Sequence, residues 1–216
     1  MTRRPNPVQR HIHARAGNLA LKAENLALVS VLRTDLVLTT VQLERRGLAA
    51  AAERLGLRPR SLDVRTLVTS KTSERTVHFV ALDEATLKPD ASVLFHLAGL
   101  AEIRHLLGES PAVFRRVSDR SDVRCPDAML HYGTDLNRAV EFDAGYPVRV
   151  MREKLEAFSY PPAVPQVDGH LGFAGTLWAT TSERRAHRIR TEVLPLIAPA
   201  RCGADHPREV ITVRFW

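Results

Sequence analysis

The sequence predicts a mixed α/β fold of the α+β kind, with a helix-rich first third followed by a small mixed sheet flanked by helices. Three observations predict it. Apolar residues recur at helical spacing through residues 19–33, 48–56 and 94–107, and strand-like runs occupy 76–82, 126–143 and 175–181. The phrases "CPDAML" and "AVEFDAGYP", joined by "HYGTDLNR", read as one β-hairpin. Charge is divided along the chain: residues 1–75 hold 14 Lys/Arg against 6 Asp/Glu, a net of +8, while residues 76–216 hold 17 against 18.

Bulk properties exclude several classes. The 216 residues are 44% hydrophobic and 25% charged, enough to bury a core. No apolar run reaches the roughly 18 residues of a membrane span. The basic start "MTRRPNPVQRHIHARAG" lacks the apolar stretch of a secretory signal, so a reducing cytoplasm is the expected compartment. Cys125 and Cys202 are too few for a disulfide framework and are not spaced as a zinc site. No Walker-type phosphate loop, nucleophile elbow or zinc-hydrolase signature is present. A basic first third is what a polyanion binder needs, because neutralised phosphates release counterions.

Taken in order, residues 1–17 lack periodicity and are expected to be a basic arm. Asn18 can cap a helix from Leu19 to Arg33. Thr39 and Gln42 have capping-box spacing for a short second helix ending before Gly47. "LAAAAERLG" predicts a third helix stopped by Gly56. "RPRSLDVRTLV" then predicts a further helix, with Leu62 and Leu67 inward, and "TSKTSERTVHFVAL" a polar loop feeding a strand from Thr76 to Leu82.

The stretch "AERLGLRPRSLDVRTL" with that following strand looks like a winged helix-turn-helix, whose second helix enters a major groove while the wing touches phosphate. The expected contacts are Arg58, Arg60, Ser61 and Arg65 from the recognition helix, and Lys71 and Arg75 from the wing. A small helical bundle used for protein contact has the same spacing. "LKPDASV" marks a boundary, giving expected domains at 18–88 and 89–216. After it come a helix with Leu97, Leu100, Ile103 and Leu107 on its apolar side, strand "AVFRRV", the hairpin, helix 147–159, a Pro-rich loop, strand "GTLWATT", helix 182–198 and a final strand.

The hairpin carries the chemistry. With its turn centred on Asp135, Asp127 faces Asp143 and Met129 faces Glu141. Ala128, Leu130, Tyr132, Val140 and Phe142 then point to a core, and Asp127, Glu141 and Asp143 share the other face. Neighbouring carboxylates repel unless a cation sits among them. A hard cation, Mg²⁺ or Mn²⁺, on Asp127, Glu141 and Asp143 would resolve this and suit phosphodiester hydrolysis. A half-exposed hairpin with solvated acids fits the spacing equally well. In the helix "YPVRVMREKLEAF", Lys154 lies roughly 10 Å along the axis from its start. Glu141 is about 7 Å back along its strand from Asp143, so the two are nearly level. Lys154 could then stabilise charge on phosphate, or simply be a solvated lysine beside Glu153 and Glu156.

"PDAML", "VEFDAGY" and "REKLEAF" together resemble the nuclease-like domain of the plasmid replication-relaxation family, and "LTTVQL" at 38–43 resembles the opening of that family's winged-helix domain. The resemblance implies a restriction-endonuclease-like, PD-(D/E)xK-type mixed sheet flanked by helices, fused to a DNA-binding module. It implies double-stranded or branched DNA as the partner, in plasmid relaxation or replication. A homodimer and replication or mobilisation proteins are further expected partners, with no membrane association. Asp127 and Glu141 match the family's metal ligands. The lysine that follows Glu by two residues is replaced here by Asp143, so Lys154 must take that role from the next helix. Otherwise the domain is a non-cleaving relative, and the protein a DNA-binding regulator that uses this domain for dimerisation or partner binding. Arg184, Arg185 and Arg188 either line a DNA groove or face solvent.

Overall fold

The computed structural model describes residues 7–66, 73–117, 125–132, 137–159, 173–197 and 208–216. Helix α1 (Pro7–Asp35) begins well before Asn18, so residues 7–17 are helical rather than an arm. Pro7 suits the first helical turn, where its missing N–H is not needed. Leu28 and Leu32 are buried near its end. There Asp35 is held between Arg104, at 2.6 and 2.7 Å, and Arg46, at 3.3 Å.

β1 (Leu38–Thr39) leads into α2 (Thr40–Arg45), which is closed by the expected capping box between Thr39 and Gln42. α3 (Ala49–Arg54) ends just before Gly56, which sits at φ +67° in the left-handed region. The next segment departs from expectation. Residues read as a recognition helix form strand β2 (Arg60–Thr66), paired antiparallel with β3 (Ser73–Val80). Leu62, Val64 and Thr66 turn towards the interior, while Ser61, Asp63 and Arg65 are exposed. That is a period of two with β-branched residues inside. The first sheet has the order β1-β3-β2.

α4 (Ala91–Leu107) follows, stopped by Gly108 in the left-handed conformation. Then come β4 (Phe114–Arg116), β5 (Ala128–His131), β6 (Asn137–Asp143), α5 (Val148–Phe158), β7 (Gly175–Thr180), α6 (Glu183–Arg188) and β8 (Arg208–Thr212). α6 runs on through wider and tighter turns to Leu196. The second sheet has the order β4-β5-β6-β7-β8. β4, β5 and β6 pair antiparallel, and β6, β7 and β8 pair parallel. Each parallel step requires a crossover, supplied by the segments that hold α5 and α6. The expected Pro-rich loop lies outside the described residues.

Alternate faces of this sheet serve two cores. Ala128, Leu130, Val140 and Phe142 join Phe95, Ala98 and Ile103 of α4. Ala139 and Trp178 join Met151, Leu155 and Phe158 of α5 and Ile189 and Val193 beyond α6. Tyr132, expected in the core, is 50% exposed at the strand end. The first of these cores also contains Val64, Val77 and Phe79 of the first sheet, so one apolar interior continues across residue 88 with α4 as its shared layer. Among the described residues no helix is long and apolar enough to cross a membrane.

Candidate active site

The hairpin pairs Ala128 with Val140 and Met129 with Ala139, a shift of two residues from the expected register. Met129 therefore does not face Glu141. A two-residue shift preserves which face each side chain takes, so the sorting into apolar and acidic faces survives. One step beyond Ala128 and Val140, it sets Asp127 level with Glu141.

Asp127 and Glu141 are close enough to share a hydrogen bond when one of them holds a proton. Lys154, reaching in from α5, places Nζ 2.6 Å from Glu141 Oε1 and donates to the Cys125 carbonyl at 3.2 Å. The rings of Tyr146 and Phe158 lie 5.5 and 5.8 Å from that ammonium and add cation–π attraction. The Tyr146 hydroxyl donates to the same Glu141 oxygen at 3.4 Å. On Asp127, Oδ2 accepts from the Phe142 N–H at 2.9 Å, and Oδ1 lies 3.0 Å from His96 Nε2. His96 is on α4 and was not singled out from sequence. All four side chains are buried: Asp127, Glu141, Lys154 and His96 are 3%, 1%, 7% and 8% exposed.

Burial first, and then the charge of Asp127, push the Glu141 carboxyl well above the usual carboxylate range, against the opposing pull of Lys154. For Asp127 burial acts upward, yet its pKa is lowered because His96, Glu141 and the Phe142 N–H together favour the charged form. The pair is thus polarised, with Glu141 the more ready to hold the proton.

Asp143 does not join them. Its carboxylate takes five donors: the N–H groups of Gly145 and Tyr146 at 2.8 Å, Trp178 Nε1 at 3.3 Å, and Arg185 at 2.5 and 2.9 Å. The cation beside this third acid is Arg185, half-buried and engaged with the Asp143 carboxylate. Arg188 pairs with Glu192 on the surface. The structure therefore brings together Asp127, Glu141 and Lys154, and separates Asp143 into a structural ion pair.

Among the described residues, no three or more His, Cys, Asp or Glu side chains converge as a metal site. A divalent cation would have Asp127 and Glu141 as its two side-chain oxygen donors. Glu141 Oε2 is compatible with that use, being buried with no donor of its own.

The expected DNA contacts among the described residues lie on β2, β3 and the turn before β2. Arg58, Ser61, Arg65 and Arg75 are exposed. Arg65 is 3.8 Å from Glu74, and Ser61 Oγ is 2.8 Å from His78 Nδ1. Arg60 is tied down, donating to the carbonyls of Leu87 and Pro89. Lys71 lies outside the described residues. No family model matches the chain, and neither a curated protein nor a solved structure shows significant similarity to it.

Proposed function

We propose that the protein binds DNA through its basic first third and that its second sheet is a nuclease-like domain of the PD-(D/E)xK type, as in the plasmid replication-relaxation family. The observation that carries this reading is the meeting of Asp127, Glu141 and Lys154 where β5, β6 and α5 come together. One acid immediately precedes β5, the other lies on the adjacent antiparallel β6, and the lysine comes from the helix that follows, so the missing lysine of the strand motif has a substitute. In the winged-helix reading, α2 and α3 are the helix pair and β2–β3 is the wing. The groove-facing helix then becomes α3, and Arg58, Arg65 and Arg75 are exposed cations for phosphate.

Asp127 and Glu141 would hold Mg²⁺ or Mn²⁺, which when bound would supply Lewis-acid polarisation of a phosphoryl oxygen and a water that ionises near neutral pH. The chain's own contribution is Lys154, whose ammonium keeps Glu141 in place and offers positive charge to a phosphorane-like transition state. A second reading, a non-cleaving DNA-binding regulator, is favoured by the near-complete burial of Glu141 and by Asp143 standing where the strand motif has lysine.

The test is nicking of supercoiled plasmid and branched DNA by purified protein with Mn²⁺. Cleavage lost in both Asp127→Asn and Glu141→Gln, with DNA binding retained, supports the nuclease reading. Binding without cleavage in the wild type supports the regulator. Cleavage that persists in both variants removes these acids from the chemistry.

A further inference from the structure

His96 approaches Asp127 from the opposite face of the sheet to Lys154. Its ring stands edge-on to Phe142, with centroids 5.4 Å apart and planes at 71°. The two oxygens of Asp127 therefore face two elements: Oδ2 accepts a hydrogen bond from the backbone of β6, and Oδ1 stands 3.0 Å from the His96 ring of α4. His96 Nε2 is buried and makes no aligned hydrogen bond among the described residues, so its polar contact here is the 3.0 Å approach to Asp127 Oδ1.

This reach depends on how closely α4 lies on the sheet. At Gly99, one turn after His96, an added Cβ would stand 2.5–2.7 Å from the Phe142 ring, so only glycine permits the approach. The helix is also fixed along its axis. Gln42 of α2 donates to the Ala98 carbonyl and to Glu102, both at 2.9 Å. His96 thus sits on a rigid support and acts on one acid of the candidate site.

We infer that His96 is a positioning residue for Asp127, fixing the direction in which this carboxyl meets Glu141 and the divalent cation that the pair would hold. The inference rests on the nuclease-like reading of the site. A carboxylate held at one oxygen alone can rotate about its last side-chain bond, and loss of such outer partners typically weakens metal affinity about 10–100-fold.

The experiment titrates Mn²⁺ into the full-length protein without DNA and follows the heat of binding for the wild type, His96→Met and His96→Gln. Met fills the space with no donor, whereas the Gln amide can still donate to Asp127. The expected result is an affinity about 10–100-fold weaker in His96→Met and mostly recovered in His96→Gln. Circular dichroism checks that each variant is folded, and His96→Phe is the second donor-free variant should His96→Met fail to fold. Wild-type affinity in the donor-free variant overturns the role of His96 and leaves the metal reading standing. Equal weakening in His96→Met and His96→Gln means that ring shape rather than hydrogen bonding matters, and also overturns it. A wild type that takes up no Mn²⁺ removes the metal reading and this inference together.

Discussion

Replacing Gly99 by alanine adds one methyl group at the tightest contact between α4 and the second sheet. The new Cβ would lie 2.5, 2.6 and 2.7 Å from three atoms of the Phe142 ring. Carbon atoms rest about 3.5–4.0 Å apart, so something must move by roughly 1 Å. Phe142 cannot yield easily. It is fully buried, with the rings of Phe95 at 5.9 Å, Phe215 at 5.8 Å and His96 at 5.4 Å around it. Helix α4 must therefore lift or tilt. Alanine is favoured over glycine in a helix by about 1 kcal/mol, whereas overpacking a filled core costs about 1–3 kcal/mol. The balance predicts a net loss of up to about 2 kcal/mol, measured by urea unfolding at unchanged m-value. Because His96 rides on the same helix, Mn²⁺ affinity should weaken as well. A variant about 1 kcal/mol more stable than wild type would mean that α4 is free to adjust, and that Gly99 does not set the approach of His96 to Asp127.

Three further outcomes are expected. Asp143→Asn leaves Arg185 without its charge partner and should cost about 3 kcal/mol in denaturant, while the folded variant still binds Mn²⁺; loss of metal at full stability would return Asp143 to the site. Arg58→Ala combined with Arg65→Ala should weaken DNA binding and flatten the slope of log affinity against log salt by about 2, and an unchanged slope would place the phosphate contacts elsewhere. With pH the sign follows from Glu141. Its folded pKa is raised, so its favourable contribution is fully present below the ordinary carboxyl range and is lost as pH rises through the folded value. Denaturation at a series of pH values should show wild type losing stability relative to Glu141→Gln as pH increases. Asp127, shifted downward, works in the opposite sense, its contribution being lost only as pH falls through its own folded pKa. Parallel curves for the two proteins would contradict a proton held at Glu141.

Local signals carried the parts of the fold that are set by neighbours in sequence. The Thr39–Gln42 box starts α2, and Gly56 stands just past α3. The alternation in Ala128–Leu130 and Val140–Phe142 assigned faces correctly even though the register was displaced by two, because parity is insensitive to a two-residue shift. Where two periodicities competed, the reading failed. Leu62 and Leu67 suggested a helix, but Leu62, Val64 and Thr66 follow the strand period, and pairing with β3 decided the matter. The expected arm failed for a related reason: no regular apolar pattern marks residues 7–17, although they are helical.

The site shows the same division. Lys154 was legible because one strand and one helix, adjacent in sequence, have known rises per residue, and their ends meet. Arg185 and His96 were not. The first is 42 residues from Asp143 and the second 31 from Asp127, and only the packing of α6 and α4 on the sheet brings them close. Three acids in one short stretch suggested one shared cation. The fold instead gives Asp143 an arginine and leaves a two-acid, one-lysine cluster.

Crystals of the wild-type protein soaked in Mn²⁺, with anomalous scattering recorded at the manganese edge, test the site assignment most directly. A peak bounded by the carboxylates of Asp127 and Glu141, absent from Glu141→Gln crystals soaked alike, is the predicted result. A peak at Asp143, or density confined to surface acids with Asp127 and Glu141 undisturbed, would contradict it.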